Sequence, residues 1–151
     1  MNYELRQASE NDKEFLASLH KLCYRDVVEA QFGRWDDEIQ RGFFEKKWNS
    51  SNYQIIILAG QAVGAVSVEH CADHFFLSEV QIQPDFQSRG LGSQIIKAVL
   101  ANAAARSLPV RLQVLRKSKA KNLYLRLGFS QTGETDTHIL MEKASQRIDL
   151  C

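Results

Sequence analysis

The chain has 151 residues, of which 44% are hydrophobic and 25% are charged, with eight glycines and two prolines. This length predicts one globular domain over residues 1–151, and the composition excludes collagen-like, repeat-rich and disordered proteins. Nineteen basic residues against 18 acidic ones give a net charge of +1. That charge is too small for the broad positive surface of a duplex-binding protein, so we expect no nucleic-acid partner.

Cysteine usage and hydropathy indicate a soluble, cytoplasmic protein. The three cysteines Cys23, Cys71 and Cys151 are odd in number, far apart and without zinc-ligand spacing, which predicts reduced thiols and no metal site. The residues after Met1 carry no targeting signal. The longest apolar run, residues 55–59, is far shorter than the ~20 residues of a membrane span, so we expect no membrane association.

The first half of the chain predicts a strand, two helices and three strands. A short strand around Tyr3 precedes an N-capping pattern at Ser9, where a helix begins. Gly33 separates this helix from a second amphipathic stretch over residues 36–48. β-Branched segments at 53–58 and 62–69 predict a hairpin, and another strand covers 74–83. The apolar positions of the two helices are Phe15, Leu16, Leu19, Leu22, Cys23, Val27, Ile39, Phe43 and Phe44.

The second half predicts a crossover helix, a parallel strand, a helix and a hairpin. An apolar stripe follows Gly90 at helical spacing: Leu91, Ile95, Ile96, Val99, Leu100 and Ala103. The strand at 110–114 must run parallel to the strand before Pro84, because a helix connects them. Ser118 caps a further helix that Gly128 ends. Strands at 129–132 and 137–142 are expected to turn at Gly133.

The junction between strand and helix at residues 80–93 predicts an anion site. Gly90 and Gly92 let the backbone approach a ligand, and the free amides and dipole of the following helix favour a phosphate. A dinucleotide fingerprint fails because Ile95 stands at its third glycine, and a P-loop fails because Ser93 stands where its lysine belongs. A glycine-rich turn without a ligand is the remaining alternative.

Two motifs together resemble a known family. Val80-Gln81-Ile82-Gln83-Pro84 followed by Gln87-x-x-Gly90-x-Gly92 resembles the acetyl-CoA signature of GNAT-type N-acetyltransferases. Leu112-Gln113-Val114 and Leu123-Tyr124-Leu125-Arg126-Leu127-Gly128-Phe129 resemble its second hallmark, and the predicted element order matches. The resemblance implies an α/β (α+β) fold with a mixed, mostly antiparallel twisted sheet, a splayed parallel strand pair and flanking helices.

The resemblance also implies how acetyl-CoA, the expected cosubstrate, is held. Pantetheine would lie between the splayed strands against the backbone of Ile82, and the pyrophosphate would rest on amides of residues 87–93. Arg89 is either a counter-charge or a solvated side chain. Ser118 stands where the family commonly has an asparagine, so the longer reach of an amide side chain is lost. The cofactor-binding candidates are Ile82, Gln83, Gln87, Ser88, Arg89, Gly90, Leu91, Gly92, Ser93, Ser118 and Tyr124.

The catalytic candidates are Tyr124 and Glu79. Tyr124 matches the family's Leu-Tyr position and would protonate the leaving thiolate, although a packed core tyrosine is the alternative. Glu79 shares strand parity with Gln81 and would be the base that deprotonates the amine, with a structural carboxylate as the alternative. Some family members place an acidic residue elsewhere on this strand or on the next one. This chain has Phe76 and Gln113 at those positions, so that role is not carried over. Three histidines remain as candidate bases: His70, His74 and His138.

The acceptor is expected to be a small-molecule or protein amine. By resemblance, residues 24–48 cover the acceptor side, where carboxylates and aromatics would suit a cationic amine or serve ordinary packing. A basic run, Arg116, Lys117, Lys119 and Lys121, would either attract a CoA phosphate or form a solvated helix face.

The reaction expected from the resemblance is direct acetyl transfer in a ternary complex. None of the three cysteines is expected in the CoA cleft, which disfavours a cysteine-bound acetyl intermediate. A non-catalytic acyl-CoA-binding module and a binding domain for another nucleotide are the alternatives, and a homodimer is left open.

Overall fold

The fold is a seven-stranded sheet with four helices, seen in a computed structural model that describes residues 2–145. The strand order is β1-β2-β3-β4-β5-β7-β6, with β4 and β5 parallel and mostly antiparallel neighbours elsewhere. The predicted α/β class is confirmed, and Cys151 lies outside the described residues. The elements are β1 Tyr3–Gln7, α1 Lys13–Phe32, α2 Asp37–Ser50, β2 Tyr53–Leu58, β3 Gln61–His70, β4 Phe75–Ile82, α3 Leu91–Ala105, β5 Val110–Leu115, α4 Ala120–Arg126, β6 Ser130–Glu134 and β7 His138–Lys143.

Helix α1 is preceded by the capping pattern that the sequence predicts. The Ser9 amide donates to Asp12 Oδ2 at 2.8 Å, at a 3₁₀ turn immediately before α1. The Asp12 carboxylate also accepts from the Arg6 guanidinium, and chiefly this contact lowers the pKa of Asp12 to about 2. At the other end of α1, Gly33 has φ +93° and donates its amide to Glu29. The positive φ explains why a glycine ends this helix.

The described chain divides into two compact units, with boundaries inside β3, β4 and α3. The first unit comprises the residues up to Val68 together with Glu79–Gly92, and the second comprises Glu69–Ser78 and the residues from Ser93 onward. In the first unit, α1 and α2 share a core with strands β2 and β3. Its buried cluster consists of Leu16, Leu19, Phe44, Tyr53, Ile55 and Ala65.

Three of the apolar positions at helical spacing in α1 and α2 are exposed. Leu22 is 58% exposed, Ile39 52% and Phe43 53%. The buried stripe of α1 passes through Leu16 and Leu19 to Val28, and Leu22 falls outside it. In α2 only Phe44 is buried. The helical period was therefore correct, but the buried face is narrower than the apolar content of these helices suggested.

The β2–β3 hairpin turns at Ala59 and Gly60, which have φ +51° and +78°. Both values fit a two-residue turn of the kind that hairpins prefer. Further along β3, Gly64 lies against the backbone of β4. A Cβ atom at Gly64 would overlap the Gln81 carbonyl oxygen and would lie 3.2 Å from Ile82 Cα. Only a glycine therefore allows this approach of β3 to the end of β4.

The second unit contains the predicted parallel pair. Phe75 pairs with Val110 and Phe76 with Arg111, at the start of both strands. The stripe on α3 is confirmed, with Leu91, Ile95, Ile96, Val99 and Ala103 all buried.

The predicted turn at Gly133 is wrong. Gly133 lies inside β6 beside a register shift, and the chain turns at residues 135–137. There the Thr135 amide donates to the His138 carbonyl at 2.8 Å. The Thr135 hydroxyl accepts from the backbone amides of Thr137 and His138, so a hydroxyl stabilises this turn without a glycine.

We predict opposite stability changes for two glycine-to-alanine variants in the first unit. Gly64→Ala should destabilise the protein by about 1–3 kcal/mol, because the new methyl group forces β3 from β4. Gly42→Ala should stabilise it by about 0.5–1 kcal/mol, because Gly42 lies in α2 with open space around it. Urea unfolding measures both, and equal stability of the two variants would contradict the close strand approach.

Candidate active site

Glu79 is a buried carboxylate in the part of β4 that belongs to the first unit. Side chains along β4 alternate in burial, and Glu79 and Gln81 lie on the buried face with 4% and 3% exposure. The shared parity of these two residues is thus as expected. Their face is closed over by protein, whereas a solvated carboxylate would be open to water.

Three donors satisfy the Glu79 carboxylate. The Tyr24 hydroxyl donates to Oε2 at 2.6 Å, and Gln81 Nε2 donates to the same oxygen at 3.0 Å. Lys47 Nζ donates to Oε1 in a short ion pair. The Glu79 side chain is 3% exposed and the Lys47 side chain 45%. A carboxylate this deeply buried needs such partners, because leaving water without them costs several kcal/mol.

The donors arrive from separate elements. Tyr24 lies on α1 and Lys47 lies in the last turn of α2, where the negative end of the helix dipole favours an ammonium group. The N-terminus of α2 is set by Asp36, whose side chain accepts from the Ile39 amide at 3.0 Å. The two helices of the first unit therefore converge on one strand carboxylate.

The Tyr24 donor to this carboxylate belongs to a cluster of aromatic rings. The His20 ring lies 5.0 Å from the Tyr24 ring and 6.4 Å from Phe44, measured between centroids. Burial lowers the pKa of His20, while burial and then the charge of Glu79 raise the pKa of Tyr53. Both side chains are therefore uncharged near neutral pH. The Glu79 end of the ion pair with Lys47 is therefore buried, and the Lys47 end is partly open to solvent.

Ile82, the expected pantetheine contact, has an occupied carbonyl. It accepts from Gln87 Nε2 at 2.8 Å and from the Cys23 thiol at 3.3 Å. Cys23 was expected to lie outside the CoA cleft, and α1 brings its thiol to the end of β4. Burial chiefly raises the pKa of Cys23 to about 11, so the group is a thiol and a poor nucleophile.

The loop over residues 83–92 joins β4 to α3. The Gln83 amide donates to the Val63 carbonyl at 2.8 Å, which anchors the start of the loop, and a 3₁₀ turn follows at Pro84–Phe86. Ser88 has φ +61° and Gly90 φ +84°. Within residues 2–145, the amides of residues 88–90 donate no hydrogen bond. Together with the first-turn amides of α3, they form a set of donors suited to an anion.

Arg89 is exposed at the centre of this loop. Its guanidinium carbon lies 5.4 Å from the centre of the Phe86 ring. Leu91 is buried and begins α3, whereas Gly92 and Ser93 are half-buried in its first turn. The loop therefore has an internal anchor at Leu91 and a cation held over an aromatic ring.

Tyr124 and Ser118, the remaining candidates for catalysis and cofactor binding, lie in the second unit. Tyr124 in α4 is 8% exposed and packs edge-to-face on Phe129, with ring centroids 5.5 Å apart. Ser118 precedes α4, and its hydroxyl accepts from the Ala120 amide at 3.1 Å. The predicted cap at Ser118 is therefore wrong: Lys119 is the N-cap residue of α4, and the Ser118 hydroxyl stabilises the turn that precedes it.

The three histidines that remained as candidate bases belong to the second unit and have local contacts. His70 stacks on Phe75 at 4.2 Å between centroids, and His74 Nδ1 lies 2.7 Å from Asp73. His138 Nδ1 lies 2.7 Å from the Thr137 hydroxyl.

The basic run before α4 is partly used within the second unit. Arg116 donates to the Thr135 carbonyl at 2.6 Å and forms an ion pair with Glu134 at 3.2 Å. It therefore stabilises the β6–β7 turn.

Sequence reasoning missed Lys47 and His20 and gave Gln81 no role of its own. A helical wheel does place Lys47 one turn after Phe44, at the edge of the buried face. What the pattern lacks is any sign of its partner, 32 residues away in β4. Tyr24 was named only as a member of the acceptor segment, and the structure gives it a specific contact.

The whole fold is similar to N-acetyltransferase structures. PaiA N-acetyltransferase from Thermoplasma acidophilum, in complex with coenzyme A, superposes with a TM-score of 0.76 at 16% identity, covering 95% of this chain and 99% of that one. Ribosomal-protein-S18-alanine N-acetyltransferase from Escherichia coli gives 0.70 at 16% identity, covering 99% and 97%. A GNAT family acetyltransferase from Elizabethkingia anophelis with acetyl-CoA bound gives 0.69 at 13% identity, covering 95% and 98%.

The family follows from the sequence match. A model of the acetyltransferase (GNAT) domain matches residues 23–139, and the chain belongs to this family. A search of the curated proteins returns no match. Among residues 2–145 no three potential metal ligands cluster together. The helices in that same range are too short or too polar to cross a membrane.

We predict that Cys23 is the slower of the two described thiols to alkylate. With its pKa raised to about 11, roughly one molecule in a thousand carries the Cys23 thiolate at pH 8. Native protein treated with iodoacetamide should therefore label Cys71 before Cys23, as followed by peptide mass spectrometry. The order should disappear in urea, and faster labelling of Cys23 in the native state would contradict its buried contact with Ile82.

Proposed function

We propose that this protein is an acetyl-CoA-dependent N-acetyltransferase that acetylates a primary amine by direct attack in a ternary complex. The observation that carries the proposal is the buried Glu79 carboxylate. It already holds an ammonium group, and it lies on the strand that leads into the loop at 83–92. Family membership supports acyl transfer, and the CoA-bound structural neighbours support the cosubstrate.

The loop and the start of α3 are the proposed pyrophosphate site. The unpaired amides of residues 88–90 and the first-turn amides of α3 would donate to phosphate oxygens, and the helix dipole adds favourable charge. Arg89 would supply a counter-charge from above Phe86. The proposed contacts along this segment are the backbone and side chains of Gln83, Gln87, Ser88, Arg89, Gly90, Leu91, Gly92 and Ser93. Ser118 and Tyr124 are separate cofactor-binding proposals that rest on the family resemblance.

Binding of pantetheine involves an exchange of partners at Ile82. Its carbonyl now accepts from Gln87 and Cys23, so a pantetheine amide would take the place of the Gln87 amide. Because Gln87 is exposed, its side chain loses little by turning into water. Gln87 thus keeps the pantetheine position satisfied before CoA arrives.

Glu79 is the proposed base. An alkylammonium has a pKa near ~10.4 and must lose a proton before its nitrogen attacks the thioester. The Glu79 carboxylate accepts that proton, which leaves a neutral carboxyl group and an amine with a free lone pair. Tyr24 and Gln81 hold the carboxylate at Oε2, which leaves Oε1 as the oxygen that faces the ammonium.

Tyr124 is the proposed acid. The amine nitrogen bonds to the acetyl carbon, the carbon–sulfur bond breaks, and the thiolate of CoA takes a proton. The Tyr124 hydroxyl supplies this proton to the departing sulfur, and the tyrosinate regains a proton from the attacking nitrogen as the amide forms. Cys23 is protonated beside Ile82, which supports direct transfer over a cysteine-bound acetyl group.

The proposed acceptor is a cationic amine, either a small molecule or an amine of a protein. The aromatic residues around Glu79 and the carboxylate itself suit an ammonium group through charge and cation–π contact. One similar structure is named for acetylating the alanine of a ribosomal protein, which supports including protein amines among the acceptors tested.

The proposed location is the cytoplasm. The free thiols of Cys23 and Cys71 support it, because thiols stay reduced in that compartment.

We predict that Glu79→Gln lowers kcat for a panel of amines by about 10²-fold or more, because the amide cannot accept the proton. Glu69→Gln is the matched control: Glu69 is an exposed carboxylate on the neighbouring strand and should leave kcat unchanged. Release of free CoA thiol measures the rate. Equal kcat for the wild type and Glu79→Gln would remove Glu79 as base.

Tyr124→Phe should also slow turnover in the same assay. Tight CoA binding by the wild type without turnover on any amine would instead favour a non-catalytic binding module.

We predict that Arg89→Ala weakens CoA binding in a salt-dependent way. Loss of one counter-charge should raise the dissociation constant by about tenfold at low ionic strength, and less at high salt because ions screen the pair. Calorimetry at two salt concentrations measures this. Lys97→Ala, an exposed cation further along α3, is the control and should not alter affinity. A dissociation constant for Arg89→Ala equal to that of the wild type would make Arg89 a solvated side chain.

A further inference from the structure

Lys47 occupies the place that the proposed acceptor needs. Its ammonium donates to Oε1 of Glu79, the oxygen left open by Tyr24 and Gln81. An incoming acceptor ammonium would have to bind the same oxygen. The active site therefore already contains a primary amine, supplied by the chain itself.

The contact of Lys47 differs from the other lysine ion pairs among residues 2–145. Lys13 and Lys21 pair with Glu45 and Asp37, whose side chains are 36% and 76% exposed. Such exposed pairs contribute little and exchange with water. Lys47 alone in this range of the chain pairs with a carboxylate that is 3% exposed, yet its own side chain is 45% exposed. Its amine thus reaches the buried site from a stem that is still free to move.

We propose that Lys47 is an internal acetyl acceptor, which is acetylated by the protein's own active site when no other amine is bound. This inference rests on the proposed function, because it uses Glu79 as base and acetyl-CoA as donor. Lys47 passes a proton to Glu79, and its neutral nitrogen bonds to the acetyl carbon. The carbon–sulfur bond breaks, and CoA leaves as the thiol after taking up a proton.

Acetylation would change the site that performs it. Acetyl-Lys47 carries no charge and a single N–H in place of three donors, so Glu79 would lose its counter-ion. An acceptor amine bound at Glu79 would displace Lys47 and protect it. Self-acetylation is therefore expected in acetyl-CoA alone and suppressed by a good acceptor.

The test is incubation of the purified protein with isotope-labelled acetyl-CoA and no acceptor, followed by peptide mass spectrometry. Lys46 is the matched control, since it is the exposed neighbour on the same helix and in the same peptide. Lys47 should gain label at least about tenfold faster than Lys46, and Glu79→Gln should slow Lys47 labelling by about 10²-fold while leaving Lys46 unchanged. Labelling per molecule should not depend on protein concentration, as expected for reaction within one chain.

A second variant covers the case in which Glu79→Gln folds poorly. Lys47→Arg keeps the positive charge beside Glu79 but is not acetylated, so labelling in this peptide should fall to that of Lys46. Equal labelling of Lys46 and Lys47 in the wild type overturns the inference. If amines are acetylated and Lys47 is not, the proposed function stands and the inference that Lys47 is an acceptor fails. If neither is acetylated, both proposals fail.

Discussion

The burial of one carboxylate constrains the first unit of this protein. Glu79 is 4% exposed and three donors satisfy its carboxylate, and removal of a partner from a buried ion pair typically costs about 3–5 kcal/mol. The donors come from α1, from the last turn of α2 and from β4 itself. The placement of both helices on the sheet is therefore tied to the charge of a single side chain.

The same constraint extends along β4 to the loop. Consecutive residues of α1 contact β4 at two points, Tyr24 at Glu79 and Cys23 at the carbonyl of Ile82. On the other side, the missing side chain of Gly64 lets β3 approach Gln81 and Ile82 closely. The end of β4 is thus held from both sides, which gives the following loop a fixed start. For the proposed phosphate site this anchoring is favourable, because an already ordered loop loses less conformational freedom on binding a ligand.

Local patterns predicted the elements well, and non-local contacts account for most of the errors. The break at Gly33, the stripe on α3 and the parity of Glu79 with Gln81 depend on neighbours within a few residues, and all are found. The partners of Glu79 lie 32 and 55 residues away, and periodicity shows which face is buried without showing which polar groups meet there. The turn predicted at Gly133 was wrong for a different reason. The hydroxyl of Thr135 stabilises a turn further along the chain, and composition does not reveal it.

The ion pair also bears on how an acceptor could enter. Glu79 as a base must have an oxygen free for the substrate, and a vacant buried carboxylate would be unstable. Lys47 resolves this conflict, since it satisfies Oε1 in the free protein and its half-exposed side chain can withdraw as another ammonium arrives. The exchange replaces one cation by another, so the charge balance beside Glu79 is the same before and after binding. A neutral or anionic ligand offers no such compensation, which supports the proposal of a positively charged amine as the acceptor.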